Sequence, residues 1–280
     1  MSTPVLRAIH VHPVKSLAGY APGEAAVEPW GLAGDRRWML IDGDGRFVTQ
    51  RLYPRLALCS AEPLPGGGLR LSGPGGRTLD VPLPQSGETA EVTVFDDRVT
   101  AALAGPEPAA WFSDHLGADV RLVHLDAPDR ARPLAPGHGG EGATVSFADA
   151  FPLLVTTASS LDALNSLIAQ GDDADEGPLP MDRFRPNVVV EGTAPWSEDT
   201  WRRIAIGGVP FRVAGPCGRC VITTTDQRTA ERGKEPLRTL ARHRRMDDRL
   251  VFGQNLVPER PGTVRVGDPV EILEHGPAAP

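Results

Sequence analysis

Residues 215–226 read GPCGRCVITTTD. Two cysteines, Cys217 and Cys220, stand three apart in a chain that has only three. Five β-branched residues follow in a row: Val221, Ile222, Thr223, Thr224 and Thr225. Branching at Cβ restricts χ1 and favours extended backbone. The run therefore predicts a strand headed by a cysteine. It argues against the helix N-terminus whose dipole lowers a thiol pKa in a thioredoxin-like dithiol. Other uses stay open at this level. Half a zinc site would need two more Cys or His ligands, but Cys59 is remote and His243 is the one histidine close downstream. A single thiolate can bind a soft metal or act as a nucleophile, and Arg219 next to Cys220 favours the thiolate. Both sulfurs can also be small buried hydrophobes.

Working outward, the flanking segments have the same extended character. RFRPNVVVEG (183–192) and RRIAIGGVPFRVAG (202–215) precede the cysteines, and RLVFGQNLVPE (249–259) and GTVRVGDPVEIL (262–273) follow them. The first hundred residues repeat this cadence. LRAIHVHPV, RRWMLID, RFVTQ, RLALCSAEPL, GGLRLSG, RTLDVPL and AEVTVFD are short apolar runs separated by Gly and Pro. Such spacing predicts an antiparallel sheet or barrel. Three segments predict helices: PEPAAWFSDHLG, stopped at Gly117; the second half of FPLLVTTASSLDALNSLIAQG, capped by Ser159 or Ser160 and ended by Gly171; and KEPLRTLARHRRM, with a solvated basic face. APDRARPLAPGHGGEGAT is a polar loop, a seam or mobile flap. With no regular βαβ series, the class is a two-part, β-rich α+β protein.

The 280 residues suffice for two modest cores. A net charge of −7 excludes a general affinity for nucleic acid or acidic lipid, which needs a basic surface. The opening MSTPVLRAIHVHPVKSL lacks a basic segment followed by an apolar one, and no window is long enough to span a membrane. An odd cysteine count argues against a disulfide framework. The expected location is the cytoplasm.

Several cations sit beside Pro, Gly or Asp at strand edges: Lys15 with Ser16, Arg36, Arg185 with Asn187, and Arg219. Singly, each is an ordinary surface cation. Together, at the mouth of a β-barrel, they suit an anionic cofactor bearing a phosphate. Lys15-Ser16 is not a P-loop, because no glycine pattern precedes it. His10 and His12 share a strand face without an evident third ligand, Trp196 and Trp201 are expected to pack, and Asp226 is a turn former that can also relay protons.

Read in order, PCGRCVITTTDQRT, KEPLRTLARHR, VFGQN and GTVRVGDPVEI resemble the MOSC domain, the C-terminal domain of molybdenum-cofactor sulfurases. VHPVKSLAG and GLAGDRRWMLID resemble the N-terminal β-barrel domain that accompanies it. The resemblance runs from about residue 5 to about residue 273, and extends to bacterial proteins similar to the amidoxime-reducing components. It implies an N-terminal MOSC β-barrel domain over 1–122 and a MOSC domain over 123–280. It further implies a mononuclear molybdenum centre on one molybdopterin, with Cys220 as protein ligand and catalytic residue. Lys15, Ser16, Arg36, Arg185 and Asn187 would contact phosphate and pterin, and Gly218 and Arg219 would line the cofactor. The implied activity is reduction of N–OH to N–H with loss of water. Electrons would come from a separate protein, a flavin reductase or a ferredoxin-type donor. The alternative is a cofactor carrier or sulfur-transfer protein that holds a persulfide on Cys220. Two departures stand out: Gly218 replaces a frequent serine, and Ala150 and Phe151 replace hydroxyl residues.

Overall fold

A computed structural model describes residues 3–130, 132–134, 137 and 143–277. Of the polar loop expected as a seam or flap, residues 131, 135–136 and 138–142 lie outside the described residues; Arg132–Pro133 pairs with Thr144–Val145. The fold is β-rich α+β, with three α-helices among the described residues. Its largest sheet has eight strands. In order across the sheet these are Val5–Ile9, Val188–Glu191, Leu153–Thr157, Arg249–Pro258, Val209–Gly218, Trp201–Ile206 and Val270–His275, with Arg245–Met246 paired to the side of Arg249–Pro258. Only Leu153–Thr157 and Val188–Glu191 run parallel. Parallel neighbours need a long crossover, and it contains the helix Ala158–Ile168. Leu153–Thr157 is buried along its whole length, as a central parallel strand requires.

A second sheet orders Phe47–Val48, Trp38–Ile41, Arg121–His124, Asp97–Leu103 and Thr89–Val94. Beside it lies the meander Ser60–Pro63, Leu69–Gly73 and Arg77–Val81. Two early strands are hydrogen-bonded to late ones: Val5–Ile9 to Val188–Glu191, and Glu24–Glu28 to Gly262–Arg265. A register shift between Leu6 and Ala8 breaks the two-residue alternation, so Leu6 and Ile9, three apart, are both fully buried. They join a core with Val155, Val190, Trp201, Ile204 and Phe211. A separate core gathers Trp38, Leu40, Trp111, Phe112 and Leu122.

The helix Pro106–Leu116 begins with proline and ends at Gly117, whose φ of 67° lets its N–H reach the Ser113 carbonyl. Ala158–Ile168 differs from expectation at both ends. Thr157 is its N-cap, because this last strand residue is still extended and its hydroxyl accepts from Ser160 N–H. Ala169, not Gly171, is the C-cap. The third helix, Leu237–His243, does not present a bare basic face. Arg238 and Arg242 pair with Asp172 at 2.8 and 2.7 Å, and Arg244 pairs with Asp199 at 2.6 Å and covers the Trp196 ring. Trp201 packs in the core as expected.

The decisive stretch also differs. The strand ends at Gly218, and Val221–Thr224 is a single 3-10 turn. Thr223 Oγ1 donates to the Cys220 carbonyl at 2.9 Å, and Thr224 Oγ1 to the Val221 carbonyl at 2.9 Å. Hydroxyls bonding back to the preceding turn offset the extended preference of the threonines. Cys220 is therefore the extended residue between a strand end and a turn.

Candidate functional site

The strand Val5–Ile9 runs into the turn that holds Lys15 and Ser16. That turn is pinned by Lys15 N–H to the Trp38 carbonyl at 2.8 Å. Lys15 is 4 % exposed. Its Nζ donates to the Phe147 carbonyl at 2.7 Å and pairs with Asp149. Burial pushes the Lys15 pKa down to about 8, although the Asp149 carboxylate pulls the other way. Ser16 has φ of 71°, and Gln50 Nε2 holds its carbonyl at 2.7 Å.

Arg36 follows the buried Asp35 in the next turn, with φ of 48°. Its N–H bonds to the His12 carbonyl at 2.7 Å, and its guanidinium reaches Asp35, the Asn187 side-chain oxygen at 3.2 Å and the Arg185 carbonyl at 3.3 Å. Arg185 ends the 3-10 turn Met181–Phe184 with φ of 52°. Because Pro186 follows, the right-handed helical region is disfavoured for it. Its Nη2 is sealed from water and has no hydrogen-bond partner among the described residues. Desolvation and then neighbouring Arg36 push its pKa down to about 9. Asn187 is 1 % exposed. Its oxygen also accepts from Leu154 N–H, and its amide donates to the His10 carbonyl.

These residues and the cysteine segment face one cavity of about 270 Å³. Lys15, Ser16, Arg36, Arg185, Asn187, Gly218, Arg219 and Cys220 all line it, together with Cys217, Ala150 and Phe151. Ser16, Arg36 and Arg185 are three non-glycine residues in left-handed conformations on a single cavity wall. Each such conformation costs of order 1–3 kcal/mol, and clustering of this kind marks ligand sites.

Arg219 lines the cavity, with its guanidinium held by Cys217 and Phe184. Its Nη1 donates to Cys217 Sγ at 3.0 Å and its Nη2 to the Phe184 carbonyl at 2.6 Å. The pKa of Arg51 is raised: burial opposes this, but Asp149 and Cys220 outweigh it. Arg51 donates to Asp149 at 2.8 Å, so Asp149 bridges Lys15 and Arg51. Burial works against the Asp149 carboxylate, yet the two cations hold its pKa well below the usual range.

Sequence reading passes over Asp149, Arg51 and Arg249. Asp149 and Arg249 line the cavity, and Arg51 borders it through Asp149. The only local signal was an acid beside Ala150 and Phe151. Asp226 does not line the cavity. It accepts from Arg228 N–H and Thr229 N–H and pairs with Arg183 at 2.9 Å, which is the turn-forming role. His10 and His12 line a neighbouring cavity of about 160 Å³ with Asp182 and Arg185. No three His, Cys, Asp or Glu side chains among the described residues converge to hold a metal. Cys59 is inert, its thiol pushed up to about 12 by burial. No helix among the described residues is long and apolar enough to cross a membrane.

Comparison with known proteins places two family models on the chain: the MOSC N-terminal beta barrel domain over residues 3–119 and the MOSC domain over residues 142–271. The chain is 35 % identical to mitochondrial amidoxime-reducing component 1 of Danio rerio, covering 95 % of this chain and 84 % of that protein. It is 32 % identical to the Homo sapiens protein of the same name, covering 94 % and 81 %. It is also 33 % identical to the molybdenum cofactor sulfurase of Danio rerio, covering 90 % of this chain but only 32 % of that protein.

Proposed function

The chain belongs to the MOSC family and carries the family's N-terminal β-barrel domain, and from that premise we propose that it is a molybdenum-cofactor-dependent reductase of N-hydroxylated compounds. The observation that carries this reading is the pairing within one cavity of an unpartnered, water-sealed Arg185 Nη2 with the sulfur of Cys220. A guanidinium left without a partner calls for an anion, and a thiolate suits a thiophilic metal. The donor set therefore fits a phosphate-bearing pterin with a soft metal.

Lys15, Ser16, Arg36, Arg185 and Asn187 would hold the phosphate and pterin. The Ser16 hydroxyl, which has no protein partner among the described residues, remains available to donate. Gly218 and Arg219 would line the group, and Cys220 would bind the metal. When bound, the cofactor supplies the two-electron chemistry. In the overall reaction the N–O bond breaks, an N–H bond forms, two protons and two electrons are consumed, and water leaves. The protein's own contribution is to fix the cofactor through strained, preformed turns and to keep a cationic wall against its charge. The electrons come from a separate donor protein, a flavin reductase or a ferredoxin-type carrier.

Metal and pterin analysis of the purified protein, followed by viologen-driven reduction of benzamidoxime, tests the reading. One molybdenum per chain with turnover supports it. A second reading, a cofactor carrier or sulfur-transfer protein, is favoured by the similarity to molybdenum cofactor sulfurase. Bound molybdenum without turnover, with a persulfide on Cys220, would select it.

A further inference from the structure

Five cations line the cavity, and they differ in what holds them: Lys15, Arg36, Arg185, Arg219 and Arg249. Lys15, Arg36 and Arg219 are each tied to protein oxygen or sulfur. Arg185 presents its free donor in the sealed part of the site. Arg249 is exposed, and its guanidinium has no hydrogen bond or ion pair among the described residues, although Asp247 and Asp248 immediately precede it.

The base of Arg249 is nevertheless fixed. It starts the strand Arg249–Pro258, whose Val251 is in register with Gly218, and the next residue, Leu250, accepts from Arg219 N–H at 2.7 Å. Its stem runs over Gly218: a Cβ there would stand 3.5 Å from Arg249 Cδ. The segment bearing Cys220 and the strand bearing Arg249 are thus clamped together, and an exposed cationic head is left on the cavity lining.

Apolar groups stand close to the lining. Five large hydrophobic side chains are exposed among the described residues, and two of them stand next to lining residues: Phe95 and Val221. Val221 follows Cys220. The Phe95 ring centre lies 5.9 Å from Lys15 Nζ. Exposed apolar groups around a polar cavity mark ligand contact.

We propose that Arg249 is a specificity-determining residue, which at this cavity selects N-hydroxylated substrates that join an apolar body to a carboxylate. The inference rests on the reductase reading. A guanidinium recognises a carboxylate through two parallel N–H bonds, while Phe95 and Val221 offer apolar surface to the body of the substrate. Arg249 takes no part in breaking the N–O bond.

The test uses the molybdenum-loaded protein with benzamidoxime and 4-carboxybenzamidoxime, reduced by viologen. In Arg249→Gln the ratio of kcat/KM for the carboxylated over the neutral compound is expected to fall by at least about 10-fold, the worth of one charge-assisted contact, and through KM. Arg249→Lys keeps part of the preference, and Arg249→Glu reverses it. Equilibrium titration of both compounds onto the loaded protein reads the same ratio without turnover. If neither compound is reduced, the reductase reading fails, while the titration still decides the role of Arg249. An unchanged ratio in Arg249→Gln overturns the proposal. So does loss of molybdenum or pterin from that variant, which would make Arg249 a cofactor-holding residue.

Discussion

The cations of this molecule fall into two populations. On the surface, Arg70, Arg203, Arg238 and Arg242 are matched by Asp80, Glu259, Asp172 and Asp173, several through two parallel bonds. Around the cavity, five cations face one lining carboxylate, Asp149, and three of the wall residues hold left-handed backbone. Surface pairs of the first kind add little to stability, because water already solvates both partners. The cavity set works against folding, through strain, desolvated charge and an unpartnered guanidinium. Such a set persists only when the surrounding structure over-determines it, and it identifies where the fold gives up stability for binding.

Four measurements break or sharpen this contrast. The largest effect belongs to the sulfur. Cys220→Ser is expected to cost at least about 100-fold in turnover, the upper end for outer-shell partners of a metal. Cys217→Ser, which loses only an Arg219 contact, should cost far less. Equal losses would point to a working dithiol and remove Cys220 from its special place.

Next comes the trade between stability and binding. Arg185→Met removes a sealed, unpartnered donor, so the cofactor-free protein should gain about 1–3 kcal/mol. The same variant should retain less molybdenum when purified from cells. A thermal melt and a metal assay on one preparation check both halves. A destabilised, fully loaded variant would contradict the contrast.

A pH titration of the cofactor-free protein probes Lys15. Its folded pKa of about 8 lies below the ordinary 10.5. Below pH 8 both folded and unfolded states carry the proton, so the cost of burying the charge is fully present. Between pH 8 and 10.5 the unfolded chain binds more protons, so stability should rise with pH across that window. Lys15→Met should flatten that rise, as read in denaturant midpoints. Asp149 adds a rise of the same sign in the acid range: its depressed pKa gives stability that is lost as pH falls below the ordinary carboxylate pKa.

The smallest effect is expected at the surface. Asp172→Asn releases Arg242 and leaves Arg238 with Asp173 alone, and should leave the melting temperature within measurement error at physiological salt. A large loss there would mean that the acidic loop does more than cover the helix.

The sequence by itself determined the β-rich class, the helix Pro106–Leu116 with its proline start and glycine stop, and the family signature around Cys220. These are local properties: turn residues, alternation and caps act within a few positions. Lys15, Ser16, Arg36, Arg185 and Asn187 were also legible, because each stands in a short motif beside Pro, Gly or Asp. Only the tertiary structure decided that the threonine run after Cys220 turns instead of extending, since the hydroxyls find carbonyls one turn back. It alone decided that Arg219 turns to Cys217 and Phe184, that Asp149 joins Lys15 to Arg51, and that Arg249 has no partner among the described residues. Asp149 meets Arg51 and Lys15 across 98 and 134 residues of chain, and no local pattern encodes a meeting at that distance. The physical reason is that side-chain charge acts through space, while propensity acts along the chain.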